Sequence, residues 1–207
     1  MYLVFKRLFD FFFALILLLL FSPIFIIVAI LIKLNSSGPV FILQKRIGRQ
    51  RKEFTFVKFR TMMVEKEKDG KKLTDAERIF YIGRFLRKLS IDELPQLFNV
   101  IKGDMSFIGP RPLPVHYLPY YSEKENHRHD VRPGLSGWAQ VNGRNYLTWD
   151  EKFEYDVYYV NHIGLFLDLK IFLLTLKKVF LSSDVGVGGQ DNIEASLHEV
   201  RGKKQQS

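Results

Sequence analysis

Between Phe11 and Ile32 the chain is apolar throughout, broken only by Ser22 and Pro23 at its centre. A run of about 22 residues is long enough to cross a hydrocarbon core of roughly 30 Å. Its large apolar side chains are worth roughly −7 kcal/mol on the insertion scale, so the chain is attached to a membrane. A cleaved signal peptide does not fit, because the run is too long and no small-residue cleavage site follows it. Pro23 removes the hydrogen bond to the Leu19 carbonyl, and the Ser22 hydroxyl is placed to bond back to Leu18, so a bend is expected here. Two outcomes are open: a kinked helix that spans, or a helix that turns at Ser22-Pro23 and leaves on the face it entered. Lys6 and Arg7 precede the run, while Lys33, Lys45, Arg46, Arg49, Arg51 and Lys52 follow it. Positive charge on both flanks favours the re-entrant form, with both ends on the cytoplasmic face.

The chain has no cysteine, which excludes disulfides, thiolate nucleophiles and cysteine-ligated zinc. Its formal charge of +9 calls for an anionic partner: lipid headgroups, a nucleotide or phosphate ligand, or nucleic acid. No groove-reading or base-stacking motif appears, so nucleic acid is set aside.

After the apolar run, Val40 to Gln44 and Phe54 to Met62 read as strands. Lys58 and Arg60 are two apart in the second and are expected on the same side. Glu65 to Lys72 is a charged loop. Thr74 and Glu77 form a capping box for a helix to about Leu89, with Ile79, Ile82, Phe85, Leu86 and Leu89 facing inward. The segment from Leu113 to Asn145 reads as a long irregular loop, and such loops are usually functional. His127 and His129 in it lack metal-site spacing. Thr148 and Glu151 cap a helix to about Asn161, and another follows from Leu165 to Leu181. That last helix carries Asp168, Lys170, Lys177 and Lys178, so it suits the membrane interface or a core better than a span. Residues 183–207, with Gly186-Val-Gly-Gly189 and a basic end, read as disordered, and those glycines lack the context of a phosphate loop.

The chemistry lies between Ser90 and Pro112. Asp92 and Glu93 are adjacent carboxylates, followed by Leu94, Leu97, Phe98 and Ile101 at helical spacing and a stop at Gly103. Taking Ser90 as N-cap would put Pro95 inside the helix. Asp92 as N-cap leaves Pro95 in the first turn and is preferred. Either way the carboxylates sit at the positive end of a helix, which favours their ionised form. A diphosphate substrate needs Arg, Lys or a magnesium ion to neutralise it, and magnesium needs one or two carboxylates. A carboxylate can also attack phosphorus. Arg111, held between Pro110 and Pro112, is pre-organised for a phosphate. A glycosidase is a poorer fit, because neighbours on one helical turn diverge by about 100° and do not face each other across a bond.

Four stretches in this order resemble the bacterial sugar transferase family, the monotopic phosphoglycosyl transferases. They are Lys58-Phe-Arg-Thr-Met62, Ser90 to Asn99, Lys102 to Pro112, and Val131 to Asn145. Tyr155-Asp-Val-Tyr-Tyr159 and the apolar run extend the resemblance over about residues 3 to 182. The short chain is similar to the small form of the family, whose members start glycans with a bacillosamine-type sugar.

The resemblance implies an α/β fold, mostly helical with a small β element. It implies residues 1–34 as a re-entrant membrane helix-break-helix at Ser22-Pro23, and 35–182 as a catalytic domain with interfacial amphipathic helices. It places the protein on the cytoplasmic face of the bacterial inner membrane, beside anionic lipid. The implied reaction moves a phosphosugar from a UDP-sugar, an N-acetylated aminosugar donor, to undecaprenyl phosphate and releases UMP. Asp92 is the implied nucleophile and magnesium ligand, with Glu93 its partner. Lys58, Arg60 and Arg111 are the implied phosphate-binding residues, and Mg2+ is the cofactor. Two alternatives stay open: direct transfer without a covalent intermediate, and a non-catalytic membrane-anchored protein that binds anionic lipid.

Overall fold

The computed structural model describes residues 1–65, 67–68, 71–143, 146–180 and 196–205. Helices α1 (Tyr2–Leu20) and α2 (Ser22–Asn35) meet at Phe21 with a bend of 60°. Ser22 Oγ donates to the Leu19 carbonyl at 2.8 Å, one residue later than expected. Pro23 falls in the first turn of α2, where its missing N–H has no bond to lose. Among the described residues no single helix is long and apolar enough to cross a membrane, though the bent pair meets that test together.

Strands β1 (Phe41–Ile47) and β2 (Glu53–Phe59) form an antiparallel ribbon, Phe41 opposite Phe59 and Ile47 opposite Glu53. Within the charged loop, β3 (Glu67–Lys68) pairs with β4 (Lys71–Lys72). The expected helix from Thr74 to Leu89 is two helices, α3 (Asp75–Arg78) and α4 (Tyr81–Lys88). Thr74 does form the capping box. The break falls at Ile79 and Phe80, whose backbones are extended: Ile79 bridges to Met62, and both side chains are buried. Phe85 and Leu89 are exposed, not inward, while Leu86 is buried.

Helix α5 (Gln96–Lys102) ends at Gly103 with φ +93°, the left-handed stop its glycine permits. Strand β5 (Ser106–Ile108) then runs parallel to β6 (Gly134–Ser136). The intervening segment is not irregular. It holds a 3-10 helix Val115–Tyr120, a short α6 (Glu123–Asn126) and a 3-10 turn His127–His129. It is followed by α7 (Trp138–Asn142), α8 (Trp149–Asn161), capped by Thr148 as expected, and α9 (Leu165–Phe180). Arg144, Asn145, Leu181 and the Gly186–Gly189 stretch lie outside the described residues. The expected disordered tail is corrected in part: Leu197–Gln205 is a helix, α10, and Leu197 is fully buried.

Each half of the bent pair has its own core. Ala14 of α1 packs with Phe54, Phe56, Leu97, Val100 and Met105, and Val28 and Ile32 of α2 pack with Phe59, Phe80 and Leu86. Burial of a side chain such as Ile32 or Phe59 contributes about 2–3 kcal/mol. Polar contacts then fix α1. Arg7 donates to the Val100 and Ile101 carbonyls at 2.6 and 2.7 Å, closing the end of α5, and Lys6 pairs with Asp168 of α9 at 2.6 Å. Large apolar side chains remain exposed along α1, α2 and α9, among them Phe5, Phe12, Ile27, Phe166 and Leu173. On α4, Tyr81, Phe85 and Leu89 are exposed at a spacing of four, so that helix is amphipathic. Apolar exposure on this scale marks a contact surface rather than a face for water.

Candidate active site

Pro95 decides how the two carboxylates are presented. It cannot sit inside a helix, so the chain makes a 3-10 turn over Ile91–Glu93 and α5 begins after Pro95, which is its N-cap. Neither Ser90 nor Asp92 caps the helix by its side chain, which corrects the expected frame. Ser90 is left-handed, φ +55°, an uncommon state for a residue other than glycine, and turns the chain from α4 into the carboxylate turn.

Asp92 is 5% exposed. Burial, and then the neighbouring charge of Glu93, push its carboxyl up to about 6, against the attraction of Lys58, Arg87 and Arg111. The expected helix-terminus stabilisation of the ionised form is therefore outweighed by loss of solvent. Lys58 Nζ lies 3.8 Å from Asp92 Oδ2. Burial lowers the lysine as well, with Asp92 and Glu93 opposing.

Lys58 reaches this place through β2, on the same side as Phe54 and Phe56, under α5. Asn99 fastens that contact: its Oδ1 accepts from Val57 N at 3.2 Å, and its Nδ2 donates to Thr55 O at 2.7 Å. Arg111 Nη2 donates to Glu93 Oε1 at 3.0 Å. Its loop is held by Gly109 N donating to Ser136 O and Gly134 N to Pro110 O. The two chains approach so closely that a Cβ on Gly109 would lie 2.3 Å from the Arg132 carbonyl. Underneath, buried Arg128 donates to Asp156 Oδ2 at 2.7 and 3.0 Å and to the Arg111 carbonyl at 2.7 Å.

Two cavities flank Arg111. One, about 250 Å³, is lined by Arg46, Lys58, Gln96, Arg111, Tyr117 and Trp149. Three cations there suit a diphosphate, and two flat aromatic rings suit a base. Gln96 is 2% exposed, and its Nε2 is buried without a hydrogen-bond partner among the described residues. The other, about 140 Å³, is lined by Lys88, Ser90, Glu93, Arg111, Gln140 and Lys178.

Of the residues expected at the site, the structure brings together Asp92, Glu93, Lys58 and Arg111. It does not bring Arg60. Strand β2 stops at Phe59, so the two-residue alternation that would align Arg60 with Lys58 ends first. Arg60 is 1% exposed and donates to Pro39 O (2.6 Å), Ser36 Oγ (2.7 Å) and Ser36 O (2.7 Å), joining the end of α2 to the start of β1. Arg60→Ala is thus expected to cost about 2–3 kcal/mol and to lower the melting temperature by roughly 6–10 °C. An unchanged melting curve with weakened phosphate binding would return Arg60 to the site.

Arg46, Arg87, Gln96, Asn99, Arg128 and Asp156 were not singled out by their positions in the sequence. Only Gln96 had a local signal, one helical turn beyond Asp92. His127 pairs with Asp130 at 2.9 Å, and His129 is buried beside Tyr121.

Residues 1–182 match the model of the bacterial sugar transferase family. The sugar transferase EpsL of Bacillus subtilis is 51% identical over 180 residues, 87% of this chain and 89% of that protein. A UDP-N-acetylgalactosamine-undecaprenyl-phosphate N-acetylgalactosaminephosphotransferase of Aeromonas hydrophila is 42% identical, over 84% of this chain and 43% of its own length. A UDP-glucose:undecaprenyl-phosphate glucose-1-phosphate transferase of Xanthomonas campestris is 40% identical, over 76% and 35%. The chain spans less than half of these last two relatives. With a family match over 182 of its residues and an ordered pair of carboxylates among cations, the chain belongs to the bacterial sugar transferase family.

Proposed function

We propose that this protein transfers a sugar 1-phosphate from a UDP-sugar to undecaprenyl phosphate, by way of a covalent intermediate on Asp92. The observation that carries this is the burial of Asp92 between Lys58 and the Glu93–Arg111 pair, beside a cavity lined by three cations. The named activities of the Aeromonas and Xanthomonas relatives supply the donor and acceptor classes. An N-acetylated aminosugar is our choice of donor, following the first of these.

On this reading Arg46, Lys58 and Arg111 take up the diphosphate. A carboxylate oxygen of Asp92 attacks the phosphorus that bears the sugar. The bond from that phosphorus to the bridging oxygen breaks, and the oxygen leaves with UMP. An oxygen of undecaprenyl phosphate then attacks the same phosphorus, the acyl-phosphate bond breaks, and Asp92 is restored as a carboxylate. The two phosphate substrates need not occupy the site together.

Mg2+ belongs to this reading. Magnesium is usually held by one or two carboxylates plus substrate phosphates rather than by a protein cage, and Asp92 beside Glu93 fits that pattern. No group of three or more His, Asp or Glu suited to a metal occurs among the described residues. When bound, the ion neutralises diphosphate charge. Because Asp92 holds its proton up to about pH 6, Mg2+ binding to the free protein is expected to weaken about tenfold per pH unit below that value and to level off above it. Magnesium titrations at pH 5 and pH 7.5 check this; equal affinities would contradict it.

The bent pair α1–α2 is assigned a re-entrant course on the cytoplasmic face of the inner membrane, with the amphipathic face of α4 and the apolar surface of α9 in the anionic lipid interface. The chain has no cysteine, so single cysteines report cleanly. Val4→Cys and Asn35→Cys are both expected to react with an impermeant maleimide in inside-out vesicles and not in right-side-out ones. Labelling from opposite sides would establish a span instead.

The reaction itself is tested with purified protein, Mg2+, undecaprenyl phosphate and a panel of UDP-sugars. UMP is expected from one sugar class. No UMP with any donor would favour a membrane-anchored protein that binds anionic lipid.

A further inference from the structure

We propose that helix α10, which lies beyond the family match, forms one wall of the 250 Å³ cavity, and that Ser196 at its start helps set which nucleotide sugar fits. The inference rests on the reading of that cavity as the donor site. Three observations carry it. Ser196 lines the cavity beside Arg46, Lys58, Arg111, Tyr117 and Trp149. The helix is seated rather than loosely laid: Leu197 is fully buried among Ile47, Tyr117, Tyr121 and Phe153. Arg201 fastens it, with bonds of 2.7 Å to both Glu125 carboxylate oxygens and to the Tyr120 carbonyl, and a further bond to Asp150.

The placement is specific at the cavity end. Ser196 N donates to Glu199 Oε2 at 3.0 Å, which fixes the first turn. His198 lies against the rings of His116 and Tyr117, and Tyr117 is itself a cavity wall. A ligand in the cavity therefore meets Ser196 directly and feels Leu197 and Arg201 through Tyr117 and the 115–120 segment. The family match ends at residue 182, so this wall belongs to a part of the chain that the match does not describe. Its contacts make it a device for selecting donors, as distinct from the Asp92 chemistry.

The test uses the full chain with UDP as probe, so it reads binding whether or not Asp92 forms a covalent bond. Amide exchange in residues 197–205 is expected to slow at least about fivefold with saturating UDP, as ligand binding suppresses local opening. Unchanged exchange there, alongside UDP protection at Arg111, would overturn the proposal. Leu197→Asp and Arg201→Glu are expected to raise the UDP dissociation constant by about fivefold or more, and the donor KM more than they lower kcat. Ser196→Trp, which leaves both fastenings intact, is expected to change the ranking of UDP-sugars by KM. An unaltered ranking, or a loss confined to kcat, would count against a donor wall.

Discussion

Asp92→Asn is expected to reduce UMP release by at least about 10³-fold while making the protein more stable at pH 7. The first effect follows from removing the buried carboxylate that lies 3.8 Å from Lys58, a lining residue of the cavity. The second follows from linkage. The carboxyl is raised from 3.8 to about 6, so the folded protein binds this proton more tightly than the unfolded chain does. Its contribution is greatest at low pH and is lost as pH rises from about 4 through about 6, leaving an ionised group whose burial opposes folding. The distance between the two values corresponds to at most about 3 kcal/mol. Asparagine is neutral and nearly the same shape, and it forgoes the attraction to Lys58, so a gain of about 1–2 kcal/mol is expected by chemical unfolding. A variant that is inactive and less stable would mean that Asp92 holds the fold together rather than acting in it.

Asp156→Ala carries the largest expected loss of stability. Arg128 and Asp156 are both 3% exposed, and the guanidinium lies over the rings of Tyr121 and Phe153. Removing the carboxylate strands a charge where water does not reach, and breaking such a pair costs about 3–5 kcal/mol. The loss should also reach the site, because the same guanidinium holds the Arg111 carbonyl at 2.7 Å. Donor KM is therefore expected to rise at temperatures where the variant is still folded. Asp156→Asn, which keeps an acceptor, should be milder on both counts. A change below about 1 kcal/mol in Asp156→Ala would show that the pair is dispensable.

What the sequence reveals here is mostly local. Pro23 bends the apolar run, Thr74 and Thr148 start helices through capping boxes four residues long, and Gly103 ends one; all of these need only neighbours in the chain. Asp92 and Glu93 stand out for the same reason. The failures are tertiary. The helix after Thr74 breaks because Ile79 finds Met62, and Arg60 leaves the site because β2 ends at Phe59 and Ser36 lies within reach. Arg128 is invisible as a support for Arg111, since its partner is 28 residues away. The last helix is hidden because residues 183–207 are polar overall and end on basic residues; one leucine, Leu197, and one arginine, Arg201, are enough to seat it. The carboxylates show a limit even where the sequence singles out the residues. Their positions were legible, but the raised Asp92 carboxyl depends on burial that only packing sets.

The most direct test of the account omits the lipid acceptor. Purified protein is mixed with Mg2+ and the preferred UDP-sugar, and both UMP and the intact mass of the peptide containing Asp92 are measured. One equivalent of UMP and an added phosphosugar mass on Asp92, both absent in Asp92→Asn, is the predicted result. UMP that forms only when undecaprenyl phosphate is added, with no adduct at Asp92, would contradict the covalent mechanism and leave direct transfer between the two substrates.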